Sequence, residues 1–414
     1  MTDSAPAATP EAGKPGGRYL VLILGVLTAL GPLSIDMYLP SFPSVAADLR
    51  VAVADVQLTL AAYLAGLAVG QLLYGVLSDR LGRRRPLLTG LALYVFGSLV
   101  CALAPTLPLL VAARFLQALG GCAGLVVSRA VVRDHFDVED SARLYSTLML
   151  IMGVAPILAP LLGGQLVLLG WRAIFWALLV ASLALVAVVG LWLAESLPRE
   201  RRDPRPVRTQ LRAMLTLFGH LRFVRLSVAS GAMLGAMFAY ISGAPAVFME
   251  IHGLSPTGFA AVFGCTAASL IAASQVNRWL APRFGVERVL RAAIRVAVVA
   301  LGAFAAGAWA GAGLALIIPC LVVTAACFGL VMPNATAAAM APYGREAGRA
   351  SAVMGTLQSL LGAVTATAVS ALADATARPM ASVMCACALL ALAALPPATA
   401  PSRGASGSVA PSAS

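Results

Sequence analysis

Asp36 lies within an apolar stretch, in the run Gly31-Pro32-Leu33-Ser34-Ile35-Asp36-Met37-Tyr38-Leu39-Pro40. An ionisable group in hydrocarbon costs about 2.5–3.5 kcal/mol on insertion scales. Membrane proteins that keep such a group use it to carry a proton or to hold a charged ligand. The alternative is an acid at headgroup level, paired with a surface cation. Of the 17 Asp and Glu residues, Asp36 alone is placed inside an apolar span, with Glu250 at a span end as runner-up. Arg114 and Gln117 form a second constellation, in Arg114-Phe115-Leu116-Gln117-Ala118-Leu119-Gly120. They are one helical turn apart and share a face. A buried arginine has to find an acid or backbone carbonyls; one near a helix start can instead snorkel to the interface. The 3 histidines form no cluster, and the 7 cysteines all fall in apolar runs without metal-ligand spacing. With no nucleophile–base pair and no metal site visible, an enzyme is not expected.

The elements that hold these residues are membrane spans. The chain is 60% hydrophobic and 11% charged, against about 45–50% apolar and 25% charged for a soluble domain. Apolar runs of span length fall at 19–42, 56–77, 86–104, 107–130, 143–169 and 172–194, then at 224–249, 257–280, 288–308, 311–333, 349–372 and 379–396. The expected fold is an all-α integral membrane protein of twelve transmembrane helices in two six-helix bundles. The expected organisation is a disordered tail (1–18), an N-terminal bundle (19–194), a polar linker (195–222), a C-terminal bundle (223–397) and a second disordered tail (398–414). No cleavable signal peptide is read at the start.

The net charge of +12 could suggest nucleic acid, but its placement argues otherwise. Of the 29 Lys and Arg residues, only Arg50, Arg172 and Arg378 fall in the loops opposite the termini, and Arg114 falls inside a span. The positive-inside rule then places both termini in the cytoplasm. The stretch Thr209–Arg225 mixes arginine with apolar residues at helical spacing. It reads equally as a helix lying on the inner membrane surface and as a helical entry into span seven.

Three motifs carry a family resemblance. Gly75-Val76-Leu77-Ser78-Asp79-Arg80-Leu81-Gly82-Arg83-Arg84-Arg85 resembles the major facilitator signature G-x-x-x-D-R-x-G-R-R at every fixed position. Gly75 permits close helix approach, Gly82 a tight turn, and Asp79 an ion pair or helix cap; the arginines are expected to hold the loop at the headgroups. A plain positive-inside loop would explain the arginines but not the Gly and Asp spacing. The echo Pro282-Arg283-Phe284-Gly285 in the second half lacks the Asp. Arg114 and Gln117 resemble the R-x-x-Q-G signature, with Ala118 where glycine is usual. Pro156, Pro160, Gly163 and Gly164 resemble the antiporter signature of span five; a Gly/Pro-rich packing helix is the plainer reading. With these, the run around Asp36 is similar to the first span of the Bcr/CflA group of drug:proton antiporters.

The resemblance implies a proton-coupled multidrug exporter of the bacterial inner membrane, working by alternating access. It implies a proton-coupling role for Asp36, an inter-half latch at Gly75, Asp79, Arg80, Gly82, Arg83 and Arg84, and no cofactor beyond the proton gradient. The partners expected are a small-molecule drug or metabolite, protons and the lipid bilayer, not nucleic acid, with a monomeric chain. Ala29, Leu33 and Pro40 share a helical face with Asp36 and are candidate cavity neighbours, and Tyr38 points elsewhere. Phe238, Tyr240 and Asn334 are further candidates to line a substrate cavity, each open to ordinary helix packing. A specific metabolite or nutrient transporter, and a transport-inactive membrane sensor, are the competing functions.

Overall fold

The computed structural model describes residues 15–135, 154–155, 158–343 and 347–397, and every regular element among them is helical. Hydrocarbon offers no water to backbone N–H and C=O groups, so a spanning segment must satisfy them internally. The first half comprises α1 (Pro15–Asp36), α2 (Phe42–Leu49), α3 (Val53–Leu81), α4 (Arg84–Leu103), α5 (Leu107–His135), α6 (Leu158–Val167) and α7 (Arg172–Trp192). A short helix, α8 (Val207–Leu215), lies in the linker. The second half comprises α9 (Leu221–Pro245), α10 (Pro256–Phe284), α11 (Val286–Trp309), α12 (Leu314–Met340), α13 (Ala347–Ala371) and α14 (Arg378–Ala394). Ten segments among the described residues are long and apolar enough to cross a membrane, α1 and α2 counting as one; α6 and α14 are shorter apolar helices. Together they occupy the twelve expected positions, with 143–153 and 156–157 of span five outside the described residues.

The outer faces stay apolar. Leu22, Phe96, Val180, Leu183, Trp279 and Val299 are all well exposed, as lipid-facing side chains should be. Inside the first half, α5 packs against α3 and α4. The α4–α5 crossing is close because glycines line it: a methyl added at Gly120 would lie 2.4 Å from the backbone nitrogen of Tyr94.

Span one departs from a single helix. The α-helix stops at Asp36, and a 3₁₀ turn at Leu39–Ser41 leads into α2. Pro40 has no N–H to give the Asp36 carbonyl, and Pro43 none to give Leu39. The expected shared face of Asp36 and Pro40 is therefore interrupted, and Pro40 sits buried in the turn.

The two halves meet along α3 and α13, which run antiparallel. At one end the Ser370 hydroxyl donates to the Ala54 carbonyl (2.6 Å). Midway, Thr356 Oγ1 donates to the Ala68 carbonyl (3.2 Å). Gln71 Nε2 donates to the Gly355 carbonyl (3.0 Å) and to Ser359 Oγ (2.8 Å). At the arginine-rich end Gly75 faces Ala352 and Met214. From Ala54 to Gly75 a helix rises about 31 Å, the thickness of the hydrocarbon core.

Candidate functional site

Asp36 is the last residue of α1 and is 4% exposed. No ion pair to it exists among the described residues. Its predecessor Ile35 belongs to one buried apolar cluster with Leu60, Tyr63 and Leu64 of α3 and with Ala363 and Ala366 of α13, and Phe238 of α9 packs against that cluster. Asp36 therefore ends its helix where the halves join. Tyr240 of α9 lies within electrostatic range of it; its hydroxyl is 3.2 Å from Thr266 Oγ1 and its ring stacks on Phe263.

Arg114 stands two turns into α5 and is completely buried. It does not snorkel, and it does not pair with Asp36. Nη1 donates to Gln117 Oε1 (2.5 Å), and Nη2 donates to the Ser34 carbonyl (3.0 Å). The guanidinium lies 4.3 Å from the centroid of Tyr63, 4.9 Å from Tyr38 and 5.7 Å from Phe175. Cation–π contacts of this kind are each worth about 0.5–2 kcal/mol. The Ser34 carbonyl belongs to the last turn of α1, where unpaired carbonyls present partial negative charge. Arg114 thus caps α1 beside Asp36. Gln117 is fixed in turn, since its Nε2 donates to Ser98 Oγ (2.8 Å). Nε of Arg114 has no partner. Tyr38, which a continuous helix would point away, forms one wall of this cage.

The antiporter-like segment reaches the same place. A methyl group at Gly163 would lie 2.1 Å from the carbonyl oxygen of Met37, so α6 touches the turn that follows Asp36. Gly164 has open space beside it, Pro160 is buried on α6, and Pro156 lies outside the described residues. Among the cavity candidates, Ala29 is buried and Leu33 half-buried on α1. Phe238 presses against Gly362 of α13. Asn334 is not brought to the site. It lies near the arginine-rich end of α12, where its Nδ2 donates to Asn277 Oδ1 (2.6 Å).

The loop after α3 forms a separate cluster. Arg83, expected at the headgroups, is 3% exposed. Its Nη1 donates to Asp79 (2.7 Å), and its Nε and Nη2 donate to Asp134 (2.8 and 3.3 Å). Gly82 has φ +90°, and a side chain there would also strike the Glu195 carboxylate. That carboxylate accepts the backbone N–H groups of Arg83 (2.7 Å) and Arg84 (3.3 Å), capping the start of α4. Arg84 also bonds the Gly190 carbonyl, and Arg80 is exposed. The cluster reaches the second half through the linker: the Asp203 N–H donates to the Asp79 carbonyl (3.0 Å), and the Asp203 carboxylate lies 3.8 Å from Arg349 of α13. Sequence reasoning placed Asp134, Glu195 and Asp203 on this side without roles. Their signal is only that acids sit among an excess of arginines.

Two helical halves around a buried acid and a buried arginine define a membrane transporter rather than an enzyme. The sequence matches the Major Facilitator Superfamily over residues 24–366, and the chain belongs to that family of secondary transporters. It is 39% identical over 372 residues to an uncharacterized MFS-type transporter of Bacillus subtilis, YdgK, covering 88% of this chain and 91% of that protein. It is 30% identical over 377 residues to a bicyclomycin resistance protein homolog of Haemophilus influenzae, covering 89% and 93%. A bacterial homolog of the human lysosomal transporter Spinster, solved in an inward-facing and occupied conformation, matches the fold with a TM-score of 0.72. The match covers 92% of this chain and 96% of that one at 16% identity.

Proposed function

We propose that this chain is a drug:proton antiporter of the Bcr/CflA type. It exports small, mostly apolar molecules across a bacterial plasma membrane, with both termini in the cytoplasm and the proton gradient as its energy source. The observation that carries this reading is the placement of Asp36: a buried carboxyl with no ion pair among the described residues, at the broken end of α1, where the two halves meet. In the outward-facing state the Asp36 carboxylate takes a proton from outside. In the inward-facing state it releases that proton to the cytoplasm as substrate enters beside it, and the loaded carrier turns outward again. The apolar and aromatic surroundings, Leu33, Phe238 and Tyr240, suit an apolar substrate more than a sugar. The name of the bicyclomycin resistance relative supports export of a drug.

The test is Asp36→Asn, assayed for proton-driven drug uptake in inverted vesicles with insertion measured in parallel. The expected result is loss of transport at normal insertion. Proton-driven transport retained by a normally inserted variant would remove Asp36 as the carrier.

A further inference from the structure

We propose that helix α8 of the linker is seated in the headgroup layer at the arginine-rich end of the molecule and binds anionic lipid there. The helix has three distinct edges. Gln210 and Met214, with Leu217 just beyond, are buried; Met214 packs against Gly75, and Gln210 Nε2 donates to the Arg205 carbonyl (3.1 Å). Leu211, Leu215, Phe218 and Leu221 turn away from the protein and are 36%, 63%, 47% and 70% exposed. Arg208 and Arg212, four residues apart and therefore on one face, are exposed. Neither has an ion pair among the described residues.

At 100° per residue, Leu211 and Leu215 fall between the buried edge and the arginine edge. That layout gives a protein-facing side, a lipid-facing side and a cationic side at the height of lipid phosphates. Four large apolar side chains exposed within so short a stretch are out of place in water. Continuity fixes the depth. Leu221 is the first residue of α9, itself a spanning helix, so Phe218 and Leu221 stand at the membrane boundary. The charge selects the lipid: two unpaired arginines complement acidic headgroups and gain nothing from neutral ones. Basic side chains at an anionic surface act additively, and two of them shift a docking equilibrium roughly 30-fold.

The experiment uses the purified full chain carrying Phe218→Trp, reconstituted in vesicles with brominated acyl chains. One set is phosphatidylcholine alone and the other contains phosphatidylglycerol; the unsubstituted protein supplies the background of the native tryptophans. The expected result is strong quenching of the new indole with phosphatidylglycerol, weaker quenching without it, and loss of the difference in Arg208→Gln/Arg212→Gln or in high salt. Leu215→Trp gives the same readout if Phe218→Trp does not fold. An indole unquenched in both vesicles overturns the proposal and leaves the exposed edge to a protein partner. Equal quenching in both overturns the preference for anionic lipid.

Discussion

Gly163→Ala tests whether α6 positions the turn beyond Asp36. The added methyl would lie 2.1 Å from the Met37 carbonyl oxygen, 2.8 Å from its carbon and 2.9 Å from its Cα. Ordinary contact begins near 3.4 Å, so α6 or the turn must move by about 1.3 Å. The obstructing atoms are backbone and cannot rotate aside. Overpacking of this kind costs about 1–3 kcal/mol. If that strain falls on the transport cycle it slows it about 5- to 150-fold. The matched control is Gly164→Ala, one residue on, where no heavy atom lies within 4 Å. Proton-driven efflux from proteoliposomes, normalised to inserted protein, should be unchanged in Gly164→Ala and reduced at least fivefold in Gly163→Ala. Equal rates in the two variants would refute the claim that α6 sets the geometry of the Asp36 turn.

Gly355→Ala places a methyl 1.6 Å from Gln71 Oε1 and should evict that carboxamide, with loss of its two hydrogen bonds across the seam. At about 0.6–1.5 kcal/mol per bond the melting temperature falls, and adding Gln71→Ala removes the clash and restores part of it. Asp134→Asn removes the negative charge and one of the two acceptor oxygens that the buried guanidinium of Arg83 uses. It should lower the melting temperature more than Asp79→Asn, because the Asp134 side chain is 13% exposed and that of Asp79 39%. Asp203 is held well below the ordinary carboxylate range, at about 2, first by its hydrogen bond with Arg205. A depressed folded-state value means that its stabilising contribution is complete above about pH 4 and is lost as pH falls toward 2. Asp203→Asn should therefore leave the shape of the transport–pH profile between about pH 5 and 8 unaltered.

Polar residues inside apolar runs were the legible part of the site. Asp36, Arg114 and Gln117 each interrupt hydrocarbon-length sequence, and each is buried where halves or helices meet. Gln71 met the same criterion and was passed over, although it bridges α3 and α13. The break after Asp36 was also legible, since Pro40 falls at the position that must donate to the Asp36 carbonyl. Reading 19–42 as one helix concealed it and turned Tyr38 the wrong way. What could not be read is pairing between distant segments. Nothing local joins Arg83 to Asp134, Glu195 to the start of α4, or Asn334 to Asn277. A linear pattern assigns a residue to a face but not to a neighbour, so nothing local distinguishes Asn334, bonded to Asn277, from a cavity-lining residue.

The charges around the α1 terminus bear on how the proposed coupling of proton and conformation would work. Arg114 is a buried cation whose partners are all neutral: an amide, a helix-end carbonyl and aromatic rings. Asp36, two residues beyond that carbonyl, is a buried acid with no ion pair among the described residues. With Asp36 neutral, the arrangement holds a single charge already satisfied by its cage. Under the proposed cycle, removing the proton would leave a buried anion with no paired cation among the described residues, which is costly in low dielectric. Relieving that cost requires water or a cation to reach the carboxylate, and so requires the turn that carries Tyr38 to move. That turn touches α6 at Gly163, and the 3₁₀ segment it leads into packs against α9 and α10 of the other half. In the proposed cycle a change of one proton would therefore be felt first at the junction between the halves.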